Sequence, residues 1–245
     1  MHNHIFYDPF LAVLSYVISV LGSYTALQLA IAIPQAKDRA TALGWVSGAA
    51  VALGGGAIWS MHFIAMNAAD MGMPVSYDAK LTFASLVMGV LASAIGLYVV
   101  GRGEGSSGKL LMSGVVTGLG VALMHYTGMA AMLMPATIDY DPTLFYASLV
   151  IAVVAAAVAL WLAFNLRGNL QRFGSAIVMG VAVCGMHYTG MYAVRMTPAA
   201  EPAATGISLP PATLGQSVFI VSAVVLVLLL AFSAWKSQRT VMADL

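Results

Sequence analysis

Histidine and methionine occur together at three places in this sequence, and both side chains can bind metal ions. The three segments are Met61-His62-Phe63-Ile64-Ala65-Met66, Met124-His125-Tyr126-Thr127-Gly128-Met129 and Met186-His187-Tyr188-Thr189-Gly190-Met191. Their histidines are 63 and 62 residues apart. Imidazole suits copper, zinc, iron and nickel, whereas the thioether of methionine favours Cu(I). The matched recurrence predicts one transition-metal site built from three equivalent segments.

Within each segment the spacing places a histidine and a methionine on one face of a helix. A residue four positions further along lies about 40° around the helix axis and one turn along it. We therefore expect two layers of ligands, imidazoles and, one turn outward, thioethers: His62, His125 and His187, then Met66, Met129 and Met191. The methionine before each histidine lies about 100° around the axis. These three either pack on a neighbour or bind from a rotated helix: Met61, Met124 and Met186.

Copper is the predicted metal because no cluster of carboxylates or thiols competes with the motif, and zinc is the less favoured choice. An alternative stays open, in which the methionines only pack and the histidines bond to Tyr126, Tyr188 or backbone carbonyls. His2 and His4 lie near the N-terminus, where they either collect metal or have no role.

The composition requires lipid as the solvent of these segments. Of 245 residues, 61% are hydrophobic and 8% are charged, and the mean hydropathy is +0.92. So few charges cannot coat a soluble globule of this size. The net charge of +1 offers no basic field for nucleic acid, so a nucleic-acid partner is excluded and the lipid bilayer is the predicted surrounding.

Seven apolar runs are long enough to cross a bilayer, which takes about 20 residues per helix. They lie at roughly 10–33, 42–66, 80–100, 109–133, 143–165, 173–195 and 214–235. The predicted fold class is therefore an all-α membrane protein with seven transmembrane helices.

The basic residues predict the orientation, because Lys and Arg in short loops mark the cytoplasmic face. Eight of the ten follow odd-numbered spans: Lys37, Arg39, Arg102, Lys109, Arg167, Arg172, Lys236 and Arg239. Only Lys80 and Arg195 fall in the opposite loops. We expect the N-terminus outside, the C-terminus in the cytoplasm and the histidines near the outer face.

A threefold repeat underlies the motif. Three odd-numbered spans begin with the same pair, at Tyr7-Asp8, Tyr77-Asp78 and Tyr140-Asp141. The predicted units are parallel helical hairpins at about 7–66, 77–133 and 140–196, followed by an extra helix at about 214–235. Together they form one membrane domain, 1–235, with a cytoplasmic tail at 236–245.

A glycine stands seven residues before each histidine and a β-branched residue four before it. The glycines are Gly55, Gly118 and Gly180, and the β-branched residues are Ile58, Val121 and Val183. Small residues let helices approach closely in lipid. We expect the even-numbered spans to cross at these glycines around a shared interior.

At these motifs the sequence resembles the MHYT family of bacterial integral membrane sensor domains. The Met-His-Tyr-Thr signature is intact at Met124 to Thr127 and at Met186 to Thr189, and is degenerate at Met61 to Ile64. The resemblance covers nearly the whole chain. It implies a non-enzymatic domain that senses oxygen, carbon monoxide or nitric oxide through copper near the outer face and signals to a cytoplasmic output, often one acting on cyclic di-GMP.

The end of the chain departs from that pattern, since the tail from Lys236 to Leu245 is too short for an output domain. We expect either a sensor cut from a longer protein or one that works through a separate partner, and we consider a homodimer.

Two other functions use the same residues. Copper uptake, storage or delivery would need a path across the membrane, yet the cytoplasmic halves of the spans carry no continuing Met or His ladder. An intramembrane zinc hydrolase would use three histidines and water with a nearby carboxylate from Asp70, Asp78, Asp139 or Asp141. The methionines contribute nothing to that chemistry.

Overall fold

The computed structural model describes residues 5–102, 106–165, 168–200 and 206–243. His2, His4 and Arg167 lie outside the described residues. Within that part of the chain seven helices are long and apolar enough to cross a membrane, which confirms the predicted all-α membrane fold. Six spans are single helices: α1 (Pro9–Ala30), α4 (Ala79–Arg102), α5 (Ser107–Ala130), α6 (Pro142–Asn165), α7 (Asn169–Tyr192) and α8 (Pro211–Ala243).

The second span is built from three pieces. It consists of α2 (Arg39–Ala50), a π-helical segment (Val51–Trp59) and α3 (Ser60–Ala68). The π segment contains the glycine run 54–56, and the hydroxyl of Ser60 donates to the Gly55 carbonyl at 2.7 Å, five residues back. Wide turns of this kind are rare and often mark functional sites. Here the segment ends three residues before His62.

The Tyr-Asp pairs begin the odd-numbered spans because each aspartate caps a helix. A carboxylate oxygen of Asp8 accepts from Leu11 N at 2.8 Å, one of Asp78 from Leu81 N at 2.9 Å, and one of Asp141 from Leu144 N at 3.2 Å. Such bonds satisfy amide groups that have no partner within the helix. The repeated pair is thus a helix start signal.

Short antiparallel strands, which the sequence analysis did not predict, close the outer ends of the hairpins. They are β1 (Phe6–Tyr7), β2 (Ala69–Asp70), β3 (Ser76–Asp78), β4 (Met132–Leu133), β5 (Ala136–Tyr140), β6 (Val194–Pro198) and β7 (Ser208–Leu209). The pairs are β1 with β2, β3 with β4 and β7, and β5 with β6. In register, Tyr7 faces Ala69, Tyr77 faces Met132 and Tyr140 faces Val194. Each partner lies seven residues after a motif histidine, so the strand register follows the repeat.

The first six spans form a closed ring. Neighbours in the ring follow chain order, and α7 returns to pack on α1. The last span, α8, lies outside the ring against α1 and the second span. The hydroxyls of Ser60 and Ser222 are 2.6 Å apart at that contact, and the rings of Trp45 and Phe232 pack at 5.7 Å.

The predicted crossing of even-numbered spans at the three aligned glycines is wrong. A methyl group at Gly118 would lie 2.5 Å from Val153 Cα on α6, and one at Gly180 would lie 2.8 Å from Val20 on α1. Gly55 faces Leu86 on α4. Each glycine therefore packs against an odd-numbered neighbour in the ring. Close backbone approach occurs between ring neighbours, whereas the inward faces of the even spans meet at the histidines.

Candidate metal centre

The three motif histidines meet at one point inside the bundle. Nδ1 of His62 lies 3.1 Å from Nδ1 of His187 and 3.1 Å from Nδ1 of His125. The ring centroids are 4.9, 5.0 and 5.2 Å apart, with nearly perpendicular planes. All three side chains are buried. Helices from all three repeats thus contribute one imidazole each to a common cluster.

Three converging imidazole nitrogens cannot satisfy one another. A neutral imidazole nitrogen either donates or accepts a hydrogen bond, so at least two of the three nitrogens have the same role and face each other either as two N–H groups or as two lone pairs. A shared cation removes that conflict. Metal-to-nitrogen bonds of about 2.0–2.1 Å separate the ligand nitrogens by roughly 3.3–3.6 Å, and the observed 3.1 Å contacts need only a small expansion. Three buried histidines of this kind could hold a metal ion.

The Nε2 edges of two of the imidazole rings pack directly against glycines. A methyl group built on Gly128 would lie 2.4 Å from Nε2 of His62, and one on Gly190 would lie 2.5 Å from Nε2 of His125. These glycines stand three residues after the next repeat's histidine, where the first repeat has Ala65. Sequence reasoning missed this role, although the glycine at a fixed offset in two motifs was a visible signal. The glycines make room for each ring while Nδ1 points to the centre.

The aromatic residue after each histidine packs and does not bind at the centre. Its ring contacts the tyrosine that precedes an odd-numbered span, in a cycle around the bundle. The pairs are Phe63 with Tyr77 at 5.6 Å, Tyr126 with Tyr140 at 5.1 Å and Tyr188 with Tyr7 at 5.3 Å. Phe63 can therefore replace tyrosine in the first motif. The Tyr126 hydroxyl pairs with Ser148 at 2.7 Å, and so does not serve the histidines as the packing alternative supposed.

The tyrosines at the outer ends remain protonated phenols. Burial raises the pKa of Tyr140 to about 12, and the nearby Tyr126 adds to the rise. Burial also raises the pKa of Tyr77 and of Tyr7. Since the neutral phenol is a poor metal ligand compared with imidazole, these residues serve as packing around the site.

All six candidate methionines lie on the same three helices as the motif histidines, and all six are buried. Their exposed fractions are between 0% and 2%: Met61, Met66, Met124, Met129, Met186 and Met191. Met132 and Met134, which follow the second motif, are also buried. Burial fits both a ligand and a packing role, so coordination by methionine stays a prediction.

No carboxylate joins the three histidines in the described part of the chain. The carboxylates of Asp78 and Asp141 accept from helix amides, and that of Asp70 accepts from Gly72 N at 2.8 Å. The general base needed by a zinc hydrolase is therefore not placed at the cluster by these residues.

Fold and site define a multi-pass membrane protein in which parallel repeats bring histidines to one buried centre. The sequence matches the family described as MHYT, bacterial signalling protein N terminal repeat, at residues 55–113, 118–176 and 180–243. The chain belongs to this family and is a membrane sensor domain of the bacterial inner membrane. Each matched unit begins at one of the three aligned glycines. The family repeat therefore begins within an even-numbered span, whereas each predicted hairpin begins just before an odd-numbered span.

Three curated relatives are similar over most of this chain. The bifunctional diguanylate cyclase/cyclic di-GMP phosphodiesterase MucR of Pseudomonas aeruginosa is 40% identical, over 95% of this chain and 34% of the relative. Signaling protein YkoW of Bacillus subtilis is 36% identical, over 79% and 25%. The cyclic di-GMP phosphodiesterase NbdA of Pseudomonas aeruginosa is 35% identical, over 80% and 26%. The chain thus spans about a third or less of these relatives, and no solved structure matches it.

Proposed function

We propose that this domain binds one copper ion through Nδ1 of His62, His125 and His187 and senses a diatomic gas there. The observation that carries the proposal is the 3.1 Å approach of buried Nδ1 atoms from three repeats. Copper supplies an open coordination position for oxygen, carbon monoxide or nitric oxide and two oxidation states. Copper is favoured over zinc because buried methionines stand directly before each histidine and four residues after it on the same helices, and thioether favours Cu(I).

We propose that the signal passes from the histidine cluster to α8 and leaves the domain at the end of that helix. Gas binding signals only if it favours one of two helix arrangements. The histidine helix of the second span touches α8 through Ser60 and Ser222, and α8 continues to Ala243. Relatives named as cyclic di-GMP enzymes match this chain over a third or less of their length. We propose that such an activity lies in a cytoplasmic module or partner and not in this domain.

The deciding experiment compares copper in purified wild type with copper in the triple His62→Ala, His125→Ala, His187→Ala variant. Copper is loaded as Cu(I) under reducing conditions, and bound metal is measured by elemental analysis. We expect one copper per chain in the wild type and loss of that copper in the variant. Equal copper in both proteins would refute the proposal, and zinc in place of copper would support the hydrolase alternative.

The methionine layer is tested separately by Met66→Leu, Met129→Leu and Met191→Leu together. Leucine conserves volume and polarity but removes the sulfur. We expect weaker Cu(I) binding with little change in Zn²⁺ binding, because thioether prefers Cu(I). Met112→Leu is the matched control, since Met112 is 65% exposed. Unchanged Cu(I) affinity in the triple variant would assign these methionines to packing alone.

Copper transport is the second candidate, and the experiment that separates it is metal uptake into sealed vesicles. Transport needs a continuous series of further ligands on the cytoplasmic side of the cluster. The cavity on that side is lined mostly by aliphatic side chains, and Met179 and Met186 are the only lining residues with a metal-binding atom of the kind that the motif offers. We expect copper to remain bound without accumulating inside the vesicles. Accumulation that depends on the three histidines would favour transport.

A further inference from the structure

A cavity lies one helical turn from the histidine cluster, towards the middle of the membrane. Its lining includes Ile58, Val121 and Val183, the residues that stand four positions before the three histidines. Met186, directly before His187, also lines it. The cavity volume is about 40 Å³. The shared interior of the even-numbered spans is therefore a hollow space that adjoins the proposed metal centre.

The cavity is apolar, so it does not favour water. Its lining is aliphatic or methionine except for Thr117, whose hydroxyl donates to the Ala92 carbonyl at 3.3 Å. A buried water needs two or more polar partners, and cavities without them stay dry and bind apolar solutes or xenon. The volume exceeds the roughly 10–15 Å³ that one water requires, so size alone does not exclude a guest.

Alanines of α6 provide the space. Ala152, Ala155, Ala156 and Ala159 lie on one face of this helix and all line the cavity. Ala155 and Ala159 are half-buried, as are Ala182 and Val183 on α7, whereas Ile58 and Val121 are buried. The cavity therefore extends towards the lipid-facing side of the bundle, between α6 and α7. That surface carries Val154 and Val181, which are more than half exposed and face the region of lipid chains.

We propose that this cavity binds one small uncharged apolar molecule, taken from the bilayer between α6 and α7, and presents it to the histidine centre. The identification of that molecule as a diatomic gas rests on the proposed function, but the cavity and its entrance do not. Apolar molecules transfer favourably from water into hydrocarbon, so the bilayer concentrates them at this entrance. The volume fits a diatomic molecule or a xenon atom and is too small for a lipid acyl chain.

The first test is xenon binding to the full chain in nanodiscs, measured by ¹²⁹Xe NMR on metal-free protein. We expect a saturable xenon signal in the wild type, its loss in Ala156→Leu, where the new side chain fills the cavity, and its retention in the lipid-facing control Val154→Leu. Val183→Ala, which enlarges the cavity, should strengthen binding and guards against a folding defect in Ala156→Leu. No saturable signal in the wild type, or equal signals in Ala156→Leu and Val154→Leu, would overturn the proposal, as would a lipid chain found in the cavity.

The second test separates this proposal from the copper proposal. Copper-loaded wild type, Ala156→Leu and Val154→Leu are mixed with carbon monoxide, and copper content is measured beside the rate of association. We expect equal copper in all three proteins and slower association only in Ala156→Leu. Xenon binding by a wild-type protein that takes up no copper when copper is supplied would leave the cavity proposal standing and refute the copper site. Equal association rates in proteins with equal copper would overturn the cavity as the route.

Discussion

Glycine sets the position of the imidazoles as directly as the helices do. Gly128 and Gly190 lie against the Nε2 edges of the preceding repeat's histidines. Any larger residue there would push a ring away from the centre or turn it, and either change would alter which nitrogen faces the other two. At the scale of single residues the site therefore consists of ligands and of the small residues behind them.

We predict that Gly190→Ala lowers metal affinity whereas Gly185→Ala on the same helix does not. The added methyl group would lie 2.5 Å from Nε2 of His125 at position 190 but meets no atom within 4 Å at position 185. Overpacking of this kind costs about 1–3 kcal/mol, while an open helical site gains up to about 1 kcal/mol from alanine. Metal titration and thermal unfolding of both variants check the expectation. Equal affinities would show that the glycine does not hold the ring.

The motif tyrosine gives a second prediction at this scale. Tyr126→Phe should keep full metal binding, because its ring packs on Tyr140 and the first repeat already carries Phe63. Loss of the bond to Ser148 should lower stability by about 1 kcal/mol. Elemental analysis and thermal unfolding give the two readouts. Loss of metal in this variant would make the phenol part of the site.

Each repeat closes at its outer end through the same two contacts. The amide of the capping aspartate donates to a carbonyl six residues after a histidine: Asp8 to Ala68 at 2.8 Å, Asp78 to Ala131 at 2.8 Å and Asp141 to Ala193 at 2.7 Å. The tyrosine beside it pairs in a strand with the next residue along. These bonds join the start of an odd-numbered span to the end of the following even-numbered span, and so fix the height of each histidine.

The third hairpin gives a prediction for acid stability. The pKa of Asp141 is lowered chiefly by the amide of Leu144, with further contributions from Arg195 and Thr143. A carboxylate with a lowered folded-state pKa stabilises the fold above its unfolded pKa, and that stability is lost as pH falls through the folded value. We expect the thermal midpoint to fall in acid less steeply for Asp141→Asn, which keeps a cap but cannot titrate. An acid dependence in Asp141→Asn equal to that of the wild type would contradict the assignment.

The described part of the chain is a ring of six spans with a seventh against its side, and its two ends differ in charge. Lys80 and Arg195 belong to the end that carries the strands, and the side chain of Arg195 pairs with Asp141 there. At the other end Arg102 donates to the Ala36 carbonyl at 3.1 Å and Arg172 to Gln28 at 2.9 Å. The excess of basic residues at this second end predicts that it is cytoplasmic.

Reporter fusions test this orientation. Alkaline phosphatase, which folds only outside the cytoplasm, should be active when inserted after Gly72 between β2 and β3. It should be inactive after residue 104, between α4 and α5, and a fluorescent protein that matures in the cytoplasm should be bright at the C-terminus. The reverse pattern would place the histidine centre near the cytoplasmic face and refute the outer-face site.

The sequence by itself determined the spans, the repeat and the matched register of the three histidines. Hydropathy and periodicity are local properties of the chain, because a bilayer fixes the length of a helix and 3.6 residues per turn fixes its faces. The meeting of His62, His125 and His187 followed from that register. Only the tertiary structure decided that Nδ1 faces the centre, that Gly118 and Gly180 pack on odd-numbered helices, and that strands close the hairpins. The rotation of each helix, its neighbours and the cavity beneath the histidines depend on contacts between distant residues, which no local pattern encodes.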